Sequence, residues 1–159
     1  MVSLRKVHLS DLKYNVYHSA VLDANADTVW EAMRKILRVV EIAFGGAVEN
    51  VQWMKGGSLD KVPARYQFTL TPGGDVVNEE VIGRSEHERS LTYRTVGQAL
   101  SLVDYVATYR VLPVTNDGRS FLGWSREFRV VEGADPGFIE GFMDLLTQEV
   151  GAVKAHFAA

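Results

Sequence analysis

The chain has 159 residues, a length suited to one domain, and its 47% hydrophobic and 23% charged residues exclude a disordered polymer. Its 17 basic and 20 acidic residues leave a net charge of −3 with no basic stripe, so nucleic acid is not an expected partner. Cysteine is absent, which excludes disulfides, thiolate metal sites and thiol catalysis and points to a reducing compartment, with a cytoplasmic location expected.

Met1 to Leu12 mixes Arg5, Lys6, His8 and Asp11 with isolated apolar residues, unlike the continuous apolar run of a signal peptide. We read residues 1–12 as an N-terminal extension (an arm, a cap on a sheet edge or a homodimer contact) and residues 13–159 as a single folded domain. No stretch has the length of a membrane-spanning helix, so no membrane insertion is expected.

Tyr14 to Leu22 is rich in β-formers and reads as a first strand. Asp23 and Asn25 then offer helix caps, and Asp27 places a carboxylate where the helix dipole favours it. Val29, Trp30, Met33, Ile36 and Leu37 recur at helical spacing, which predicts a helix from about Ala26 to Leu37. A second short helix is expected over Val39 to Phe44, stopped by Gly45 and Gly46.

The period then changes to two. Strands are predicted over Val48 to Met54, Val62 to Thr71, Val76 to Ser85, Ser90 to Val96, Leu102 to Thr115 and Arg119 to Glu132. Asn116-Asp117-Gly118 joins the last two as a tight hairpin. Asp135 and Pro136 open a final helix of about six turns, whose stripe of Ile139, Phe142, Met143, Leu146, Val150, Val153 and Phe157 has helical spacing. Such a run of antiparallel strands must twist and curl, and one helix cannot fill its concave side. The remaining space is either packed with large side chains or left as a cavity.

The element order, with Ala24-Asn25-Ala26-Asp27-Thr28-Val29-Trp30 opening the first helix, resembles the START-like superfamily, and within it the bacterial polyketide cyclase/dehydratase group. That group is related to the birch-pollen allergen family and the plant abscisic-acid receptors. Asp104 to Val111 looks like the family's long sixth strand, Gly123 to Phe128 like its seventh, and Val150 to Phe157 like the end of its last helix. The likeness spans nearly the whole chain from Tyr14. One departure stands out: the Trp-x-Pro-type segment of many members has no counterpart in Lys35 to Val48. The resemblance implies an α+β helix-grip fold. A curved antiparallel sheet of about seven strands would wrap a long C-terminal helix, with two short helices after the first strand.

It also implies where a ligand would sit, between the concave sheet face and the long helix. The family-like register turns Tyr93, Thr95, Tyr105, Ala107, Tyr109 and Val111 inward, and strand alternation adds Glu79, Val81 and Gly83 and then Trp124, Arg126 and Phe128. Phe138, Phe142 and Leu145 would close the space from the helix side. The expected ligand-binding set is Glu79, Tyr93, Tyr105, Tyr109, Trp124, Arg126 and Phe142. Arg126 can anchor a ligand carboxylate or hydroxyl, pair internally with Glu79 or Glu149, or stand in solvent.

The four histidines do not cluster, no residues show a metal-ligand spacing, and neither a metal nor a cofactor is expected. No recognisable nucleophile motif is present, and catalytic residues are not assigned. Three uses remain open. They are a carrier or sensor of a small hydrophobic molecule, a cyclase- or dehydratase-type enzyme using Glu79 or a tyrosine with Arg126, and an oligomer module with a filled interior.

Overall fold

The computed structural model describes residues 8–158. Residues 1–7 of the expected extension lie outside them. The rest of it forms a 3-10 turn over Leu9–Asp11, with Leu9 packed on the core.

Chain order runs β1 (Tyr14–Leu22), α1 (Ala26–Met33), α2 (Ile36–Phe44), β2 (Val48–Trp53), β3 (Ala64–Leu70), β4 (Val76–Ser85), β5 (Ser90–Thr95), β6 (Leu102–Pro113), β7 (Ser120–Val130) and α3 (Pro136–His156). The seven strands form one antiparallel sheet in the order β1-β7-β6-β5-β4-β3-β2. Consecutive strands from β2 to β7 pair as neighbours, and β1 closes the sequence by pairing with β7. The concave face of the sheet carries the core and holds α3 and α2 against it. None of the described helices is long and apolar enough to cross a membrane.

Local chemistry accounts for most boundaries. Asn25 accepts the Thr28 amide at 2.8 Å to cap α1, and Asp135 accepts the Gly137 amide at 2.8 Å to cap α3, with Pro136 at the first helical position. Lys154 and His156 stand in the last turn of α3, where the dipole favours positive charge. The β6–β7 hairpin closes with the Val114 amide on the Arg119 carbonyl at 2.8 Å, and Gly118 takes the positive φ of +78° that the turn demands.

The helical region departs from expectation. Instead of one helix to about Leu37 and a second from Val39, the chain breaks at Lys35, whose backbone is extended, and α2 begins at Ile36. The break lets Val29, Trp30 and Met33 pack in one direction while Ile36, Val39, Val40 and Ala43 pack in another; all seven are buried. It frees carbonyls at the end of α1, and the buried Tyr109 hydroxyl donates to one of them, the carbonyl of Met33. Tyr109→Phe leaves that carbonyl buried without this donor. The expected cost is about 1–3 kcal/mol, read as a lowered midpoint in urea denaturation at unchanged slope.

Bulges bend the sheet at three places, in β2 between Glu49 and Gln52, in β4 between Val81 and Gly83, and in β6 between Val103 and Val106. The β4 bulge corrects one expectation. Val81 pairs with the inward Tyr93, but the next pairing is Gly83 with Thr92, whose hydroxyl bonds Thr108 at 2.8 Å on the convex face. Gly83 therefore faces outward rather than inward, because the extra residue reverses the parity of everything after it. On the convex side of β4, Glu80 takes Arg94 at 2.8 Å and Arg65 at 3.0 Å.

Candidate functional site

Cross-strand pairing builds the concave face in rungs. Tyr66, Glu79 and Thr95 lie side by side on β3, β4 and β5. Val81, Tyr93, Ala107 and Arg126 form the next rung, and Leu91, Tyr109 and Trp124 another. Between this surface and the helices lies a cavity of about 70 Å³. Its wall is mostly apolar: Ile36, Val39, Val40, Ala43 and Phe44 come from α2, and Phe142 and Leu145 from α3. Phe68, Val77, Tyr93, Tyr105 and Trp124 face them from the sheet. Leu100 forms the rim, 41% exposed and held at φ +54° in the β5–β6 loop.

Of the expected ligand-binding residues, Glu79, Tyr93, Tyr105, Trp124 and Phe142 line the cavity. Tyr109 and Arg126 are buried behind it. Phe142 meets Tyr105 edge-on at 6.0 Å and Phe128 at 5.0 Å between centroids, so α3 is joined to the sheet by aromatic contact.

Arg126 is 1% exposed. Its Nη1 donates to Oε2 of Glu149 on α3, and its guanidinium carbon sits 4.1 Å from the Trp124 ring centroid. Of the three readings left open for this residue, the structure has the internal pair, with Glu149 as partner. Among the described residues, Nε and Nη2 of Arg126 have no hydrogen-bond partner, and neither do Trp124 Nε1 and Thr95 Oγ1.

Two carboxyls, Glu79 and Glu149, reach the cavity wall, and both are buried. Burial pushes the Glu79 carboxyl up to about 8, with Glu149 adding to the rise. The Tyr66 hydroxyl, which donates to Glu79 Oε1 at 3.2 Å, and Arg126 oppose it. Burial also raises Glu149, against the pull of Arg126. One buried guanidinium can neutralise one carboxylate, and Glu149 holds that place by direct contact. Glu79 is then the carboxyl that keeps its proton near neutral pH. Burial raises the Tyr93 and Tyr105 phenols, so both remain protonated.

His18, on β1 opposite Trp124, lies at the edge of this polar group, its Nε2 3.2 Å from Thr147 Oγ1. Among the described residues no group of three or more potential metal ligands is gathered.

Sequence reasoning missed the contribution of α2. Its apolar spacing at Ile36, Val39, Val40 and Ala43 was the available signal, but only the break at Lys35 turns that face toward the cavity. Phe68 and Leu70 of β3 were likewise unassigned, although the alternation through Tyr66, Phe68 and Leu70 marked them as sharing one strand face.

A curved sheet closed over a long helix, with a small apolar hollow between them, defines the helix-grip class of proteins. The chain belongs to the polyketide cyclase / dehydrase and lipid transport family, whose model matches residues 13–158. Solved structures share the fold at low identity. A protein of Nitrosospira multiformis is 23% identical with a TM-score of 0.73, covering 92% of this chain and 97% of its own. The Zhui aromatase/cyclase of Streptomyces sp. R1128 is 17% identical with a TM-score of 0.73, over 91% and 93% of the two chains. Norcoclaurine synthase of Thalictrum flavum is 18% identical with a TM-score of 0.65, over 90% and 92%. No curated protein sequence matches this chain significantly.

Proposed function

We propose that this protein binds a small, largely apolar molecule between its sheet and α3, as a carrier or sensor. The observation that carries the reading is the state of the cavity wall. Thr95 Oγ1 and Trp124 Nε1 lack partners among the described residues although both residues are buried on a mostly apolar wall. Buried polar groups are nearly always satisfied, and an interior built only for packing has no reason to strand two beside one hollow. Family membership supports the same reading.

At about 70 Å³ the hollow is well short of the roughly 300–1,000 Å³ of pockets that enclose drug-sized ligands. A guest therefore widens it, and Leu100, the exposed side chain of its lining, is the one positioned to yield. Affinity is reduced by the cost of that opening.

A second reading, a cyclase- or dehydratase-type enzyme in the same cavity, draws on Glu79. A carboxyl that reaches the wall and titrates near 8 is suited to general acid–base work near neutral pH. Its partner in chemistry is not Arg126, which is already held by Glu149.

The test is native mass spectrometry of the purified protein against its denatured mass, together with thermal shifts over a panel of apolar and aromatic compounds. A co-purified mass, or a dose-dependent rise in Tm, is expected. A ligand-free native mass and no shift with any compound would end the binding reading.

A further inference from the structure

Resting on the binding reading above, we infer that the guest is an uncharged molecule whose apolar body carries a hydrogen-bond acceptor, such as a ketone or aldehyde oxygen, at the end facing Thr95 and Glu79. Charge placement rules against ionic guests. Arg126 is the only buried cation among the described residues, and it stands behind Trp124 in contact with Glu149. The wall itself offers two carboxyls and no cation. A carboxylate guest would find no cation on this wall to pair with, and an uncompensated charge in such a water-poor space is costly. An ammonium guest would need Glu79 ionised, and two buried ions are costly to desolvate.

Hydrogen-bonding inventory then points to an acceptor. Thr95 Oγ1 and Trp124 Nε1 are unsatisfied and each can donate a proton, and the phenols of Tyr93 and Tyr105 stand on the same wall. Thr95 and Glu79 are directly paired across β5 and β4, so their side chains converge on one point of the surface. The protonated Glu79 carboxyl adds a further donor there. Trp124 Nε1 lies two rungs away on β7, so the donors gathered at this point are Thr95 Oγ1 and Glu79, and a carbonyl oxygen there satisfies the hydroxyl that the described residues leave unpaired.

Two matched probe sets test this: toluene, acetophenone, benzoate and benzylamine, and their naphthalene counterparts 2-methylnaphthalene, 2-acetylnaphthalene, 2-naphthoate and 2-(aminomethyl)naphthalene. Each is titrated at pH 7 by tryptophan fluorescence and calorimetry. The ketone of at least one set is expected to bind about tenfold tighter than its hydrocarbon and both of its ionic counterparts. Thr95→Val, which replaces an unpartnered hydroxyl by a methyl and leaves the fold intact, should weaken the ketone about fivefold while leaving the hydrocarbon unchanged. Saturable binding in which the hydrocarbon equals the ketone, or in which the acid or amine is tightest, overturns the inference and leaves the binding reading standing. So does a ketone preference that Thr95→Val does not reduce. Absence of binding by every probe in both sets counts against the binding reading itself, and this inference goes with it.

Discussion

Glu149→Leu is expected to destabilise the protein by about 3–5 kcal/mol, among the larger effects available to a single substitution here. The Arg126 guanidinium is 1% exposed and cannot shed its proton. Its one hydrogen bond runs to Glu149, and Nε and Nη2 have no partner of their own. Removing the carboxylate leaves a buried positive charge facing an aromatic ring, with no anion in contact. The double variant Arg126→Met with Glu149→Leu removes both charges and restores apolar volume, so it should lie within about 1–2 kcal/mol of the parent in either direction. Denaturant titration with linear extrapolation supplies the three numbers. A loss below about 1 kcal/mol for Glu149→Leu alone would mean that Arg126 reaches water or another anion, such as Glu79, which already feels its charge.

Stability should fall as pH rises from about 4.5 to about 8, and Glu79→Gln should abolish much of that slope. The Glu79 carboxyl titrates at about 8 in the folded chain against an ordinary value of 4.5. The folded state then holds a proton that the unfolded state has released over this interval, so raising pH favours unfolding. The contribution is fully present below 4.5 and is lost as pH passes through 8. Each unit of the interval is worth about 1.4 kcal/mol, so the whole effect is on the order of a few kcal/mol. Glutamine keeps an oxygen for the Tyr66 hydroxyl and carries no charge at any pH, so it mimics the protonated acid. Parent and variant should have similar stability near pH 5, with the variant clearly more stable at pH 8.5. Because burial raises Glu149 in the same direction, some slope will remain in the variant. Parallel profiles for the two proteins would show that Glu79 is ionised and solvated in the folded state.

Much of the secondary structure was legible residue by residue. The first strand matches its expected bounds, Tyr14–Leu22, and the capping residues Asn25 and Asp135 do what their side chains predict. The α3 stripe is buried where it was expected at Phe142, Leu146, Val150 and Val153. These features depend on interactions within a few residues, which composition and spacing report directly. The inward parity of Tyr93, Tyr105, Tyr109, Trp124 and Arg126 is also observed, because the β6 bulge ends at Val106 and alternation beyond it, like that along β7 from Trp124 to Arg126, is uninterrupted.

What the sequence alone determined was the order of elements, the apolar face of each and the presence of charged groups at inward positions. Only the tertiary structure decided the helix break at Lys35, the reversal of Gly83, the choice of Glu149 as partner to Arg126 and the size of the hollow. Each of these compares contacts made between distant parts of the chain. Tyr109 reaches 76 positions back to the end of α1, and Arg126 reaches 23 positions forward to α3. Local spacing carries no record of such distances, and cavity volume is a small difference between the space the sheet encloses and the side chains that fill it.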